Sequence, residues 1–102
     1  MNPVQKLQAA KALIDTPAKW CQEVYTKEGP EGTQYCALGA MDTVGEKEMR
    51  PNSAREFLYR AEGKLKGAWS YGIVSYNDGG SHEDVMLLFD TAIELAKEAT
   101  SA

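Results

Sequence analysis

A chain of 102 residues with 43% apolar and 25% charged side chains has the composition of one small globular domain, spanning residues 1–102. Folding at this length buries roughly 60–65% of the chain's surface, which excludes a two-lobed enzyme with a deep cleft. With 11 Lys and Arg against 15 Asp and Glu the net charge is −4, which argues against a general nucleic-acid binder dependent on cationic contacts to phosphate.

Val4, Leu7, Ala10 and Ile14, flanked by Leu13, recur at helical spacing and predict a first amphipathic helix over residues 3–15. Thr16-Pro17 restarts the chain, with Thr as cap and Pro where its missing N–H costs nothing, so a short second helix carries Trp20. Residues 27–32 hold two Gly and a Pro and read as a surface loop. The run from Tyr35 to Met41 is apolar around the whole wheel and predicts a central, buried helix capped by Thr33 and ending near Val44-Gly45. Gly39 costs about 1 kcal/mol inside that helix relative to Ala, and the close approach of a neighbouring element is the compensation it suggests.

Ser53-Ala54-Arg55-Glu56 matches a capping box ahead of the stripe Ala54, Phe57, Leu58, Ala61 and Leu65, with Gly67 as the stop. Residues 68–76 fit both a strand and a helical face, and without an evident partner strand they read as irregular or partly helical. Asn77-Asp78-Gly79-Gly80 predicts a turn. Ser81, with Asp84 in the reciprocal position, caps a final helix whose face is Val85, Leu88, Phe89, Ala92, Ile93 and Ala96. Its other side is acidic, with Glu83, Asp84, Asp90, Glu94 and Glu98 against Lys97, the pattern of a solvated face. The fold class expected is mainly α, a small compact bundle of about five helices around the central apolar one.

No run approaches the roughly 18 apolar residues of a membrane span, and the opening Met1-Asn2-Pro3-Val4-Gln5-Lys6 lacks the apolar block of an export signal. A cytoplasmic location is therefore expected, and with it reduced thiols at Cys21 and Cys36. These two with His82 make no structural zinc pattern, so neither a metal site nor another cofactor is expected. Cys36 near a helix start is the one candidate nucleophile, with His82 as base and Asp78 or Asn77 orienting it. The competing reading makes Cys36 a small buried hydrophobe and leaves His82, beside its own cap, pointing to solvent. Asn77 to Ser81 could cradle an anion, but Glu83 and Asp84 already complement that helix start, and a plain turn is preferred. Trp20, Trp69, Tyr25, Tyr35, Tyr59, Tyr71 and Tyr76 are a large share of the bulk, and several fall near predicted helix ends, where aromatics either line a pocket or plug a small core.

The segments Trp20-Cys21-Gln22, Gly32 to Met41, Tyr76-Asn77-Asp78 and Ser81-His82-Glu83-Asp84-Val85 resemble a family of small proteins from actinobacteria and their phages, known as a domain of unknown function. Its pattern is a helix ending in Gly-Trp, a Cys-Ala-x-Gly-Ala element, and Trp-Asn-Asp before a C-terminal helix with an early Val. The chain departs from it with Lys19 before Trp20, Tyr76 in place of Trp, and His82 where a Thr or another polar residue is usual. The resemblance implies no activity and speaks against a Cys36–His82 dyad. What it does imply is that Cys36, Gly39, Asn77 and Asp78 form one local constellation, with Asn77 or Asp78 tying down the Cys36 helix.

The function expected is a non-enzymatic binding protein of phage or bacterial origin. It would hold a small planar or nucleotide-like ligand, or a partner protein, at Trp20, Tyr35, Trp69, Tyr76, Asn77 and Asp78. A Cys36-dependent hydrolase or transferase and an oligomerising interaction module are the alternatives. Neither nucleic acid nor a membrane is expected as partner.

Overall fold

A computed structural model describes residues 1–100. Among them five α-helices and one two-stranded antiparallel sheet follow in the order α1 (Pro3–Leu13), β1 (Thr26–Gly29), β2 (Gly32–Tyr35), α2 (Ala37–Thr43), α3 (Ala54–Lys66), α4 (Ile73–Gly79) and α5 (His82–Thr100). Single 3-10 turns at Pro17–Lys19 and Gly67–Trp69 link α1 to the sheet and α3 to α4.

Side-chain caps set the starts of α1, α3 and α5. Asn2 caps α1 by accepting from Gln5 N while the Gln5 side chain accepts from Asn2 N, and Pro3 occupies the first turn. Ser81 and Asp84 form the reciprocal pair expected ahead of α5. At α3 the box is displaced by one residue: Ser53 Oγ accepts from Glu56 N, but the Glu56 carboxylate accepts from Asn52 N. The Lys66 end of α3 is closed by Gly67, whose φ of 55° lies in the left-handed region.

α3 and α5 form the most extensive helix pair, α1 crosses α5, and α2 lies against α1 and α4. Leu7, Ala10 and Ile14 of the α1 segment meet Phe57, Leu58 and Ala61 of α3 and Val85, Leu88, Phe89 and Ala92 of α5 in a continuous core. Fully burying a side chain the size of Phe57 or Phe89 contributes roughly 1.5–3 kcal/mol, so these faces carry the assembly. Lys11 pairs with Asp90 between α1 and α5 at 2.6 Å, and Arg55 reaches from α3 to Asp42 Oδ1 and Glu46 O at the end of α2. α2 is buried throughout Ala37 to Met41, as its uniformly apolar run predicts.

The structure corrects four sequence expectations. The short second helix expected to carry Trp20 is a single 3-10 turn, Pro17–Lys19, without a Thr16 side-chain cap, and Trp20 lies beyond it in a β-bridge. The chain from Thr26 to Tyr35 is a hairpin, with Thr26 opposite Tyr35 and Gly29 opposite Gly32, where only a loop was expected over 27–32. Thr33 therefore lies in a strand, and Cys36 caps α2 in its place. Asn77, Asp78 and Gly79 belong to α4, so the predicted turn begins only at Gly80.

Candidate functional site

The hairpin and α4 are stitched together by the segment between Trp20 and Tyr25. Trp20 pairs with Tyr35 as a parallel bridge, and Cys21 N donates to Tyr35 O at 3.0 Å, so this stretch runs beside β2. It then wraps the end of α4. Gln22 Nε2 donates to the carbonyls of Asn77, Asp78 and Gly80 at 3.0–3.1 Å, filling acceptors that the end of a short helix leaves open. Glu23 takes a left-handed φ of 71°, and its N–H donates to Asp78 Oδ1 at 2.9 Å.

Asn77 is the junction. The residue is 2% exposed, and all four hydrogen-bonding positions of its side chain are filled. Oδ1 accepts from Trp20 Nε1 at 2.8 Å and from Ala37 N at 3.0 Å; Nδ2 donates to Cys21 O at 3.1 Å and to Asp78 Oδ1 at 3.0 Å. One amide thus ties α4, the Trp20–Cys21 strand segment and the first turn of α2, which is the tethering of the Cys36 helix that the resemblance implied. Burial without these partners would cost about 1–3 kcal/mol per orphaned group.

Cys36 sits at the N-cap of α2. Its Sγ accepts from Gly39 N at 3.3 Å, and its own N–H donates to Tyr25 O at 3.0 Å. The same Tyr25 carbonyl explains Gly39: a Cβ there would lie 2.1 Å from that oxygen, closer than any atom can stand. The close approach expected from sequence is this strand-entry backbone. Burial pushes the Cys36 thiol above its ordinary value of 9.0, with the Gly39 and Leu38 amides pulling weakly the other way. Burial raises the Cys21 thiol likewise, and its Sγ donates to Val24 O. Neither cysteine is part of a disulfide.

His82 does not face solvent. Its Nε2 lies 2.6 Å from Ile14 O, and its ring meets the Trp20 indole edge-on at 5.8 Å between centroids. A carbonyl can only accept, so Nε2 carries the proton and donates to it. Asp78 is engaged by Glu23 N and the Asn77 amide. Cys36, His82 and Asp78 therefore hold separate partners, and no thiol–imidazole–carboxylate relay runs through these bonds.

Beside the junction lies a half-open hollow of about 210 Å³. Cys36, Leu38 and Ile73 form its buried floor, the half-exposed Val24 and Val74 its walls, and Glu23 and Asp78 its acidic rim. On the other face of α4 a second hollow of about 160 Å³ is lined by Trp69, Tyr71, Tyr76, Glu62, Lys66 and Asp84. The four candidate aromatics are thus divided. Trp20 and Tyr35 are half-buried neighbours at the junction, whereas Trp69 and Tyr76 share the second hollow. Tyr76 is buried, its hydroxyl donating to Asp84 O at 2.8 Å. Leu38, Ile73, Val24 and the Tyr25 carbonyl are site residues that sequence reasoning missed; only Gly39 hinted at the last of them. Among the described residues no group of three or more His, Cys, Asp and Glu side chains is placed to hold a metal ion, and no helix is long and apolar enough to cross a membrane.

These features define a small, mainly helical globule in which a short helix is locked to α2 and to the segment beside the hairpin by one buried amide, with a hollow at the lock. The family of unknown function DUF6197 matches residues 1–95, and the chain belongs to that family. No match emerges among curated proteins or among solved structures.

Proposed function

We propose that this protein is a non-enzymatic binding module whose site is the hollow between the Val24 segment, α2 and α4. The observation that carries the reading is the state of Cys36. It stands in the floor of the hollow as a protonated, hydrogen-bonded wall group, with its sulfur held by Gly39 N. A cysteine nucleophile needs a lowered pKa or a neighbouring base; here burial works the other way, and the imidazole donates to Ile14 O. On this reading α2 is the hub of the site, since its cap and first turn meet both the hollow and the Asn77 junction.

The lining also narrows the ligand. A floor of Leu38, Ile73 and a neutral thiol suits a compact apolar body, and the Glu23 and Asp78 rim favours a neutral or cationic edge. A nucleotide, considered from the sequence, would bring phosphates against those two carboxylates. Methyl-resolved NMR of the full chain tests this with three probes: indole, tryptamine and AMP. Saturable shifts of the Leu38 and Ile73 methyls are expected with indole and tryptamine and not with AMP. Unmoved methyls across all three probes, or a response to AMP alone, would overturn the reading.

A further inference from the structure

The second hollow has a chemistry of its own. Trp69 and Tyr71 are each 74% exposed, an unusual degree for such large rings, and both line it beside the buried Tyr76 ring. Glu62, only 3% exposed and held by the Ser70 hydroxyl, lines the same space, as does Asp84. Both carboxylates act on the Tyr76 phenol, which burial first, and then their negative charge, pushes above its ordinary value. The chain supplies a cation to this place itself: Lys66 Nζ lies 5.5 Å from the Tyr76 ring centroid.

π faces and carboxylates together select a positive charge, and most of all one that sheds water readily. A primary ammonium is strongly hydrated, which disfavours Lys66 as a tight occupant. An alkylated ammonium loses less on leaving water and presents methyl groups to the rings. We propose that the hollow bounded by Trp69, Tyr71 and Tyr76 is a binding site for an alkylated ammonium group, with Glu62 and Asp84 supplying the counter-charge and Lys66 acting as an internal competitor. This site is independent of the Cys36 hollow, since the two are lined from opposite faces of α4 and share no residue.

The indole N–H resonances of the full chain provide the test, because Trp20 Nε1 is bonded to Asn77 and serves as an internal control for Trp69. Choline, a short peptide bearing trimethyllysine, and 3,3-dimethylbutan-1-ol, the uncharged analogue of choline, are titrated in turn. A saturable shift of the Trp69 signal alone is expected with a cationic probe, roughly two- to fivefold tighter than with the neutral alcohol, the difference a largely exposed cation–π contact makes. Tighter binding of choline marks a small-molecule source, and tighter binding of the peptide marks a modified protein. Tyr71→Ala, an exposed change that leaves the core intact, should weaken binding several-fold, and Lys66→Met should strengthen it. Equal response to the alcohol, or a Trp69 signal that stays still in both the wild type and Lys66→Met, would overturn the proposal.

Discussion

The Trp20 indole N–H donates to Asn77 Oδ1 at 2.8 Å, joining two residues 57 positions apart at the point where the hairpin, α2 and α4 meet. The same oxygen holds Ala37 N, so one atom fixes both the strand segment and the start of the Cys36 helix. Asn77→Ala leaves Trp20 Nε1, Ala37 N and Cys21 O without this partner at a buried position. The expected loss is about 3–5 kcal/mol, large for one substitution, because several buried groups are orphaned together. Asn77→Asp should also destabilise at pH 7, since it sets a carboxylate in place of the donor to Cys21 O and Asp78. Urea unfolding of both variants measures this, and a loss under 1 kcal/mol for Asn77→Ala would show that the junction is not the tie described.

Gly39→Ala pits two effects against each other. Alanine gains about 1 kcal/mol of helix propensity, but its Cβ would lie 2.1 Å from the Tyr25 carbonyl oxygen. That backbone atom is itself held by Cys36 N and has little room to yield. Steric cost wins, and a net destabilisation of about 2 kcal/mol or more is expected in the same unfolding assay.

Glu23→Gly should have the opposite sign. A non-glycine residue in the left-handed region costs about 1–2 kcal/mol, and glycine returns part of that as unfolded-chain entropy, so a net gain of about 0.5–1 kcal/mol is expected. Its backbone N–H still reaches Asp78. Thermal unfolding compares the two chains, and Glu23→Val, β-branched at the same φ, should melt lower than either.

Stability should fall in alkali. Cys36, Cys21 and Tyr76 all have folded values raised by burial, so the folded state keeps protons that the unfolded chain releases. Their contribution is fully present below the ordinary thiol value of 9.0 and is lost as pH rises through the higher folded values. Melting temperature followed from pH 7 to 11 should be level at first and then decline. Cys36→Ser, which keeps a capping acceptor for Gly39 N, should flatten that decline with little change at pH 7.

α1, α3 and α5 were legible because their signals are local. The face from Val85 to Ala96 is buried as its spacing predicts, and the Ser81–Asp84 box stands where sequence puts it. The hairpin was not legible, because Thr26-Lys27-Glu28-Gly29 is exposed on both faces and shows no apolar alternation. Thr26 and Thr33-Gln34-Tyr35 around Pro30-Glu31 were the only trace of it. Asn77 and Asp78 read as a turn because their residue types favour one; tertiary partners that no local window contains recruited them into a helix instead. The constellation of Cys36, Gly39, Asn77 and Asp78 was legible only through the resemblance. Gly39 alone announced a contact from its own chemistry, without naming Tyr25 as the other side.

The pH dependence of Cys36 alkylation by iodoacetamide, assigned to that residue by peptide mass, tests most directly whether the thiol is a wall of a binding hollow. The account predicts slow modification at pH 7, a rate that rises with the thiolate fraction and does not level off until above pH 9, and no change in that profile on His82→Ala. Rapid labelling at pH 7 with a midpoint well below 9, abolished by His82→Ala, would contradict it and make Cys36 a nucleophile.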